Sequence, residues 1–371
     1  MSRNHGGKLH RVSAGNMNSR SELDLLPRLA ASAVAVIRVE DLRHAYNDRP
    51  ALNGVSFAVE PAEIFGLLGP NGSGKTTMFR ILSTLMLPSS GRAVVMGSDA
   101  AADPDGLRRH IGVVFQARSI DLKLTAEENL RHVGHLYGLR GASLKARVHE
   151  MLERVGLADR ARDRAETFSG GMQRRLELAK GLLHHPSVLL LDEPTTGLDP
   201  GARRDLWQYL RILRDQEGVT VLVTTHLMEE AERCDRLAIL SHGNLVALGT
   251  PSELKQEIGA DIILLDTPEP ESLARRIRSR FDVEAAVLTS GLPGAPTALP
   301  GEPGQVRIER EAGHRFVPEL VEAFPGEITA ISVSKPTLED VFIRRTGHRF
   351  WNEDEEGRQA EAAKAKSKKK H

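Results

Sequence analysis

The chain has 371 residues, 50 Lys+Arg against 50 Asp+Glu, and one cysteine, Cys234. Single cores rarely grow far past about 250–300 residues, so more than one folding unit is expected. Charge neutrality removes any global argument for a nucleic-acid partner, a lone cysteine excludes an intramolecular disulfide, and no apolar run reaches the ~20 residues of a membrane-spanning helix.

The polar opening carries Arg3, Lys8, Arg11 and Arg20 without an apolar core, so it reads as no signal peptide. Residues 1–33 are expected to be a disordered tail. Residues 34–42 and 55–59 read as strands joined through Asn47-Asp48-Arg49-Pro50, with Val55, Phe57 and Val59 alternating as in a sheet buried on one face. Tyr46 stands just before that turn. The apolar run 64–68 then predicts a buried strand, and Met78, Ile81, Leu82, Leu85 and Met86 predict the inner face of a helix that Pro88 ends. Between them lies Gly69-Pro70-Asn71-Gly72-Ser73-Gly74-Lys75-Thr76-Thr77. Strand, glycine-rich turn and helix in that order are the context of a phosphate loop. The glycines let backbone N–H groups converge on phosphate oxygens, the helix start adds partial positive charge, Lys75 neutralises the outer phosphates, and Thr76 offers a hydroxyl to Mg²⁺. A nucleoside triphosphate is the expected ligand.

Residues 111–116 read as a second buried strand ending at Gln116. Thr125-Ala126-Glu127-Glu128 has the capping-box pattern, and Ser143 is expected to cap a helix carrying Leu144, Val148, Leu152 and Val155. These helices suggest a helical insertion into an α/β core. A further helix is expected to begin at Ser169, where Gly170 and Gly171 leave its N–H groups open as a second anion site; an ordinary serine cap is the alternative. Residues 188–191 are continuously apolar, hence a strand covered on both faces, and run into Asp192-Glu193-Pro194. At the carboxyl end of a parallel strand, Asp192 is placed to hold Mg²⁺ and Glu193 to polarise an attacking water. Gly197-Leu198-Asp199-Pro200 forms a turn before a helix, residues 220–226 form another buried strand ending at His226, and 236–240 with 244–248 form a hairpin.

Tyr46, the phosphate loop, Gln116, the Ser-Gly-Gly-x-Gln element at Ser169 to Gln173, Asp192-Glu193, Gly197 to Asp199 and His226 occur in one order that resembles the nucleotide-binding domain of ABC transporters. The resemblance covers about residues 34–250; Phe168 departs from it, standing where leucine is common. It implies an α/β phosphate-loop fold: a mixed sheet with an antiparallel β subdomain and a helical subdomain. It implies that Tyr46 stacks on adenine, that Gln116 contacts Mg²⁺ and water and senses a membrane partner, and that Ser169, Gly170 and Gly171 cover the γ-phosphate held by another subunit. Asp199 would communicate across that dimer, and His226 would act as a switch on the γ-phosphate.

Pro336-Thr337-Leu338-Glu339-Asp340-Val341-Phe342 is similar to the ending of daunorubicin-resistance type ABC export subunits. Residues 262–265, 271–281, 283–288, 306–309, 314–324 and 328–333 read as strand, helix, strand, strand, helix, strand, a small α+β split-βαβ domain within 251–347. Residues 290–304 read as a long loop, and 348–371, acidic then lysine-rich, as a disordered tail. The expectation is an ATPase using ATP and Mg²⁺ that energises a separate transmembrane permease for export of a hydrophobic drug, antibiotic or lipid-like solute. It would work at the cytoplasmic face of the membrane, as a homodimer or paired with a similar subunit, without nucleic acid. The alternative is a soluble ABC ATPase acting on ribosomes or DNA.

Overall fold

A computed structural model describes residues 35–47, 49–288, 304–347 and 350. The expected N-terminal tail, residues 290–303 of the proline- and glycine-rich loop, and the acidic and lysine-rich end lie outside the described residues. Strands β1 (Ile37–Tyr46) and β2 (Arg49–Val59) form an antiparallel hairpin whose register runs out to Tyr46 opposite Arg49. Both are longer than the alternation predicted. The ladder is irregular between Val39 and Leu42, where Asp41 has φ 42°. Such a bulge breaks the two-residue period, so the polar outer half of the hairpin carries no periodic signal.

Strand β3 (Ile64–Leu68) is buried throughout and leads through the glycine-rich loop into α1 (Lys75–Leu82). Strands β4 (Ser90–Val95) and β5 (Ser98–Asp99) return to the first sheet and complete the order β2-β1-β4-β5. After α2 (Pro104–His110), strand β6 (Ile111–Val114) opens the far edge of a second sheet. The helical insertion follows, with α3 (Ala126–Leu136), α4 (Gly141–Arg154) and α5 (Gly170–Leu182). The Thr125 capping box is present, with the Glu128 carboxylate accepting from the Thr125 amide. Ser143 does not cap α4. The helix starts two residues earlier, and the Ser143 hydroxyl donates back to the Arg140 carbonyl at 2.8 Å instead of accepting an amide.

Strand β7 (Val188–Asp192), helix α6 (Pro200–Glu217), strand β8 (Thr220–Thr225), the short α7 (Met228–Ala231) and strands β9 (Arg236–Ser241) and β10 (Asn244–Gly249) complete the second sheet. Its order is β10-β9-β3-β8-β7-β6, parallel except for the β10 edge. The carboxyl ends of β3, β7 and β8 therefore lie side by side, which brings the loop at Gly69, the pair Asp192-Glu193 and His226 to one edge.

Helix α8 (Pro251–Gln256) leads to β11 (Asp261–Thr267), α9 (Pro270–Phe281), β12 (Ala285–Leu288), β13 (Gly304–Arg310), α10 (Gly313–Ala323) and β14 (Ala330–Ser334). The strands form an antiparallel sheet ordered β12-β13-β11-β14, the split-βαβ arrangement. Leu273 and Ile277 of α9 and Phe316 and Leu320 of α10 pack with Ile263 and Leu265 of β11. Helix α11 (Leu338–Thr346) leaves this unit. Its Leu338, Val341 and Phe342 share a core with Leu237, Ile239, Ala247, Leu254 and Ile262, and Phe350, from the expected tail, is buried against Phe342 with ring centroids 5.0 Å apart. Helix α11 and Phe350 thus close over the β9-β10 side of the second sheet. Phe342→Ala is expected to cost ~3–5 kcal/mol and lower the melting temperature. A chain cut near Lys255 is expected to keep the residues proposed to bind ATP but to melt at a lower temperature, because it loses the α11 side of that core. A thermal melt of the point variant that overlays the wild type would show that α11 contributes nothing to that core.

Candidate active site

The loop between β3 and α1 is shaped by its glycines. Gly72 and Gly74 have φ 86° and 108°, which L side chains rarely adopt. A Cβ at Gly69 would stand 2.4 Å from Ser73 Oγ and 2.5 Å from the Leu240 carbonyl oxygen, so only hydrogen fits there. Lys75 is 4% exposed, and its Nζ donates to the carbonyls of Gly69 (2.5 Å) and Pro70 (2.8 Å). The ammonium therefore spans the mouth of its own loop. The Ser73 hydroxyl is buried and has no hydrogen-bond partner among the described residues. A buried orphan hydroxyl inside a glycine cradle beside a buried cation suits an anionic ligand.

At the end of β7, Asp192 is 7% exposed and its Oδ1 accepts from Thr224 Oγ1 at 2.6 Å. Burial pushes its carboxyl above the usual carboxylate range, reinforced by the Glu193 charge and only partly offset by the Thr224 bond. Glu193 adopts φ 43°, uncommon for a non-glycine residue, and its amide donates to both Thr224 O (3.2 Å) and Thr224 Oγ1 (3.0 Å). That turn aims its side chain into a cluster. Glu193 Oε2 accepts from Gln116 Nε2 at 3.1 Å and from Thr196 Oγ1 at 3.3 Å, while Oε1 lies 3.1 Å from His226 Nδ1. Burial opposes its ionisation, but His226 and the charge of Lys75 more than offset it and hold the carboxyl below the usual range. Two adjacent carboxylates thus have opposite electrostatic settings, a feature of sites that handle protons.

Tyr46 is 41% exposed, packs edge-on against His44 with centroids 4.7 Å apart, and brings its hydroxyl within 3.4 Å of Thr77 Oγ1. It leans on the first turn of α1, with Thr76 exposed beside it. Ser169 is the cap of α5, its Oγ accepting from the Met172 amide at 3.3 Å. Gly171 lies against α6, where an added Cβ would meet Ala202 Cβ at 3.0 Å. Asp199 caps α6 by accepting from the Gly201 (2.9 Å) and Ala202 (3.0 Å) amides. Lys75, Asp192, Glu193, Gln116 and His226 converge on one centre. Ser169, Gly170, Gly171 and Asp199 stand at two neighbouring helix starts, each serine or aspartate side chain bonding into its own helix.

The sequence profile of the ABC transporter family matches residues 52–196. The daunorubicin/doxorubicin resistance ATP-binding protein DrrA of Streptomyces peucetius is 39% identical over 315 residues, 84% of this chain and 92% of that protein. The chain belongs to the ABC transporter family. It is an ATPase of that family, and the Nod factor export ATP-binding protein I of Rhizobium meliloti (strain 1021) is 38% identical over 85% of this chain and 90% of its own length. Among solved structures, cbiO1 of Clostridium perfringens, part of the ABC transporter complex cbiONQ, superposes with TM-score 0.57 at 26% identity, covering 67% of this chain and 96% of that one. A dimeric ATP-binding cassette in a post-hydrolysis state with ADP and Pi superposes with TM-score 0.52 at 29% identity, covering 58% and 98%.

In this ABC subunit several supporting residues escape sequence reasoning. Thr224, inside a β-strand, carries no motif, yet it bonds to Asp192 and to the Glu193 amide. Glu230, 1% exposed, accepts from Thr225 Oγ1 at 2.7 Å and from Thr195 Oγ1, tying the end of β8 to the turn after Glu193. Gly243, in the β9-β10 turn, donates its amide to Ser73 O at 3.0 Å and braces the phosphate loop. Gln173, the last residue of the Ser-Gly-Gly-x-Gln element, turns inward, donating to Ala165 O and Phe168 O at 3.1 Å each. Thr224 gave one sequence signal, a polar residue directly after an apolar strand run.

Proposed function

We propose that the chain is the ATP-hydrolysing subunit of an export system, energising a separate membrane permease that moves a hydrophobic drug, antibiotic or lipid-like solute. The observation that carries the hydrolytic part is the Glu193 cluster: one ionised carboxylate shared by Gln116 and His226, within the field of Lys75. Lys75 and the loop amides bind the β- and γ-phosphates, Tyr46 stacks on adenine, Glu193 takes a proton from the attacking water, Gln116 orients that water, and His226 holds Glu193 and meets the γ-phosphate. Thr76, Asp192 and Gln116 are the residues that would hold Mg²⁺. Among the described residues no group of three or more His, Cys, Asp or Glu side chains is placed to hold a metal. Three oxygen-bearing side chains suit an ion that takes its remaining oxygens from phosphate and water. When bound, Mg²⁺ supplies neutralisation of charge developing between the phosphates. Ser169, Gly170 and Gly171 of one protomer complete the site on Lys75 of a second copy or a similar subunit, with Asp199 beside that junction.

The export assignment is supported by the relatives, which are named for drug resistance and Nod factor export. No helix among the described residues is long and apolar enough to cross a membrane, so the translocating element is assigned to another chain. The proposed place of work is the cytoplasmic face of the membrane. The test is affinity purification of the tagged chain from detergent-solubilised membranes. It is expected to bring down an integral membrane protein in fixed stoichiometry and to hydrolyse ATP faster in that complex than alone. Recovery with ribosomes or DNA, and none with membranes, would favour the soluble ATPase reading. Residues 1–33, 34–250, 251–347 and 348–371 remain the proposed division into tail, ATPase domain, C-terminal domain and tail, with α11 shared across the second boundary.

A further inference from the structure

Arg174, on the helix that Ser169 caps, is 8% exposed, and all five of its N–H groups are engaged. Nε donates to Pro194 O at 2.7 Å, and Nη1 donates to Phe115 O at 2.7 Å and to Glu177 Oε2 at 2.9 Å. Nη2 donates to Asp192 O and Glu193 O, each at 3.4 Å. Phe115 immediately precedes Gln116, and Pro194 immediately follows Glu193. One planar guanidinium thus joins the two segments whose side chains meet as Gln116 and Glu193. The same helix grips the far end of the Gln116 loop. Glu177 Oε1 accepts from the Ser119 amide at 2.7 Å, and Lys180 Nζ donates to Ser119 O (2.5 Å) and Oγ (2.7 Å).

Stability alone gives little reason for this arrangement, because a buried ion pair often contributes no more than apolar packing of the same volume. Its distinctive property is geometric. A rigid fork fixes carbonyls from separate segments at set angles, which a flexible ammonium does not. We propose that Arg174 is a positioning residue for ATP hydrolysis: it holds Gln116 against Glu193, so that both move as one body with the helix that begins at Ser169. The proposal rests on the roles given to Glu193 and Gln116 above.

The test uses the full chain with Mg-ATP and a double-mutant cycle. Arg174→Lys keeps the charge and the pairing with Glu177 but not the bridge, and is expected to lower kcat about ten- to a hundredfold. KM and the affinity for a fluorescent ATP analogue should move less than about twofold. In a Gln116→Ala background the same change should alter kcat less than about twofold, because the contact that it positions is already gone. An unchanged kcat, or equal losses in both backgrounds, overturns the positioning role. A lowered melting temperature with normal turnover per folded molecule would mark the residue as structural only and overturn it as well. Should Arg174→Lys fail to fold, Glu177→Gln, which keeps an acceptor for Ser119 N but removes the counter-charge of Arg174, is carried through the same cycle and read the same way. Glu193→Gln separates the two levels. If that variant still hydrolyses ATP at the wild-type rate, the site reading itself fails, whereas loss of hydrolysis together with equal losses in the cycle removes only the role of Arg174.

Discussion

Glu193→Gln is expected to abolish steady-state ATP hydrolysis while leaving nucleotide binding near the wild-type level. A positioned general base contributes typically 10²–10⁴-fold. The amide keeps the size of the side chain and its acceptor oxygen for Gln116, but it cannot take a proton. The carboxyl of Glu193 is held below the usual carboxylate range by His226 and Lys75, so the proposed base is ionised at neutral pH and the loss should be close to complete. A second consequence follows from the two helix starts. Ser169 and its glycines are proposed to be an anion site whose ligand lies on the other protomer, so ATP that is bound but not cleaved would hold two copies together. In Mg-ATP the variant should elute as a dimer in size-exclusion chromatography, and adding Ser169→Arg should return it to a monomer. A Glu193→Gln protein that remains monomeric at saturating Mg-ATP would count against the shared-site mechanism.

Lys75→Ala should remove hydrolysis as well, by a different route that binding measurements separate. Lys75 is the buried cation of the phosphate loop, and its Nζ also satisfies the Gly69 and Pro70 carbonyls. Truncation leaves those carbonyls without a charged donor and leaves the triphosphate facing Asp192 and Glu193 with less compensating charge. Hydrogen bonds to charged groups contribute about 1.5–3 kcal/mol each, so affinity for ATP should fall roughly ten- to a hundredfold. Titration of a fluorescent ATP analogue reads this directly. Glu193→Gln should bind the analogue at near wild-type affinity and dimerise, whereas Lys75→Ala should bind it more weakly and stay monomeric. Wild-type turnover by Lys75→Ala would exclude this loop as the phosphate site.

Elements governed by neighbours a few residues away were legible in the sequence. The run 64–68, the glycine loop and the helical spacing of Met78, Ile81 and Leu82 specify strand, turn and helix through dihedral preference and periodicity, and the structure has β3, the loop and α1 there. The helix does not run on to Pro88 as the spacing of Leu85 and Met86 predicted: it ends at Leu82, the chain turns at Thr84 with φ 60°, and Leu85 is exposed. The Thr125 capping box and the caps at Ser169 and Asp199 follow from the same local chemistry. The βαββαβ order of residues 261–334 was readable because each of its elements carries its own apolar pattern. What was not local was not readable. Gln116 and Glu193 are 77 positions apart, and nothing in either segment states that β6 pairs with β7 and sets the two side chains 3.1 Å from one another. Arg174 has no local partner in its sequence neighbourhood beyond Glu177, and only the folded chain sets four backbone carbonyls, at the ends of β6 and β7, around it. Helix α11 has the composition of an independent terminal helix, yet Leu338, Val341 and Phe342 find their apolar partners in β9, β10 and α8. The residue types and short-range geometry determined which groups of this chain are able to do chemistry. Strand order and long-range burial, which depend on contacts between distant segments, decided which of them meet.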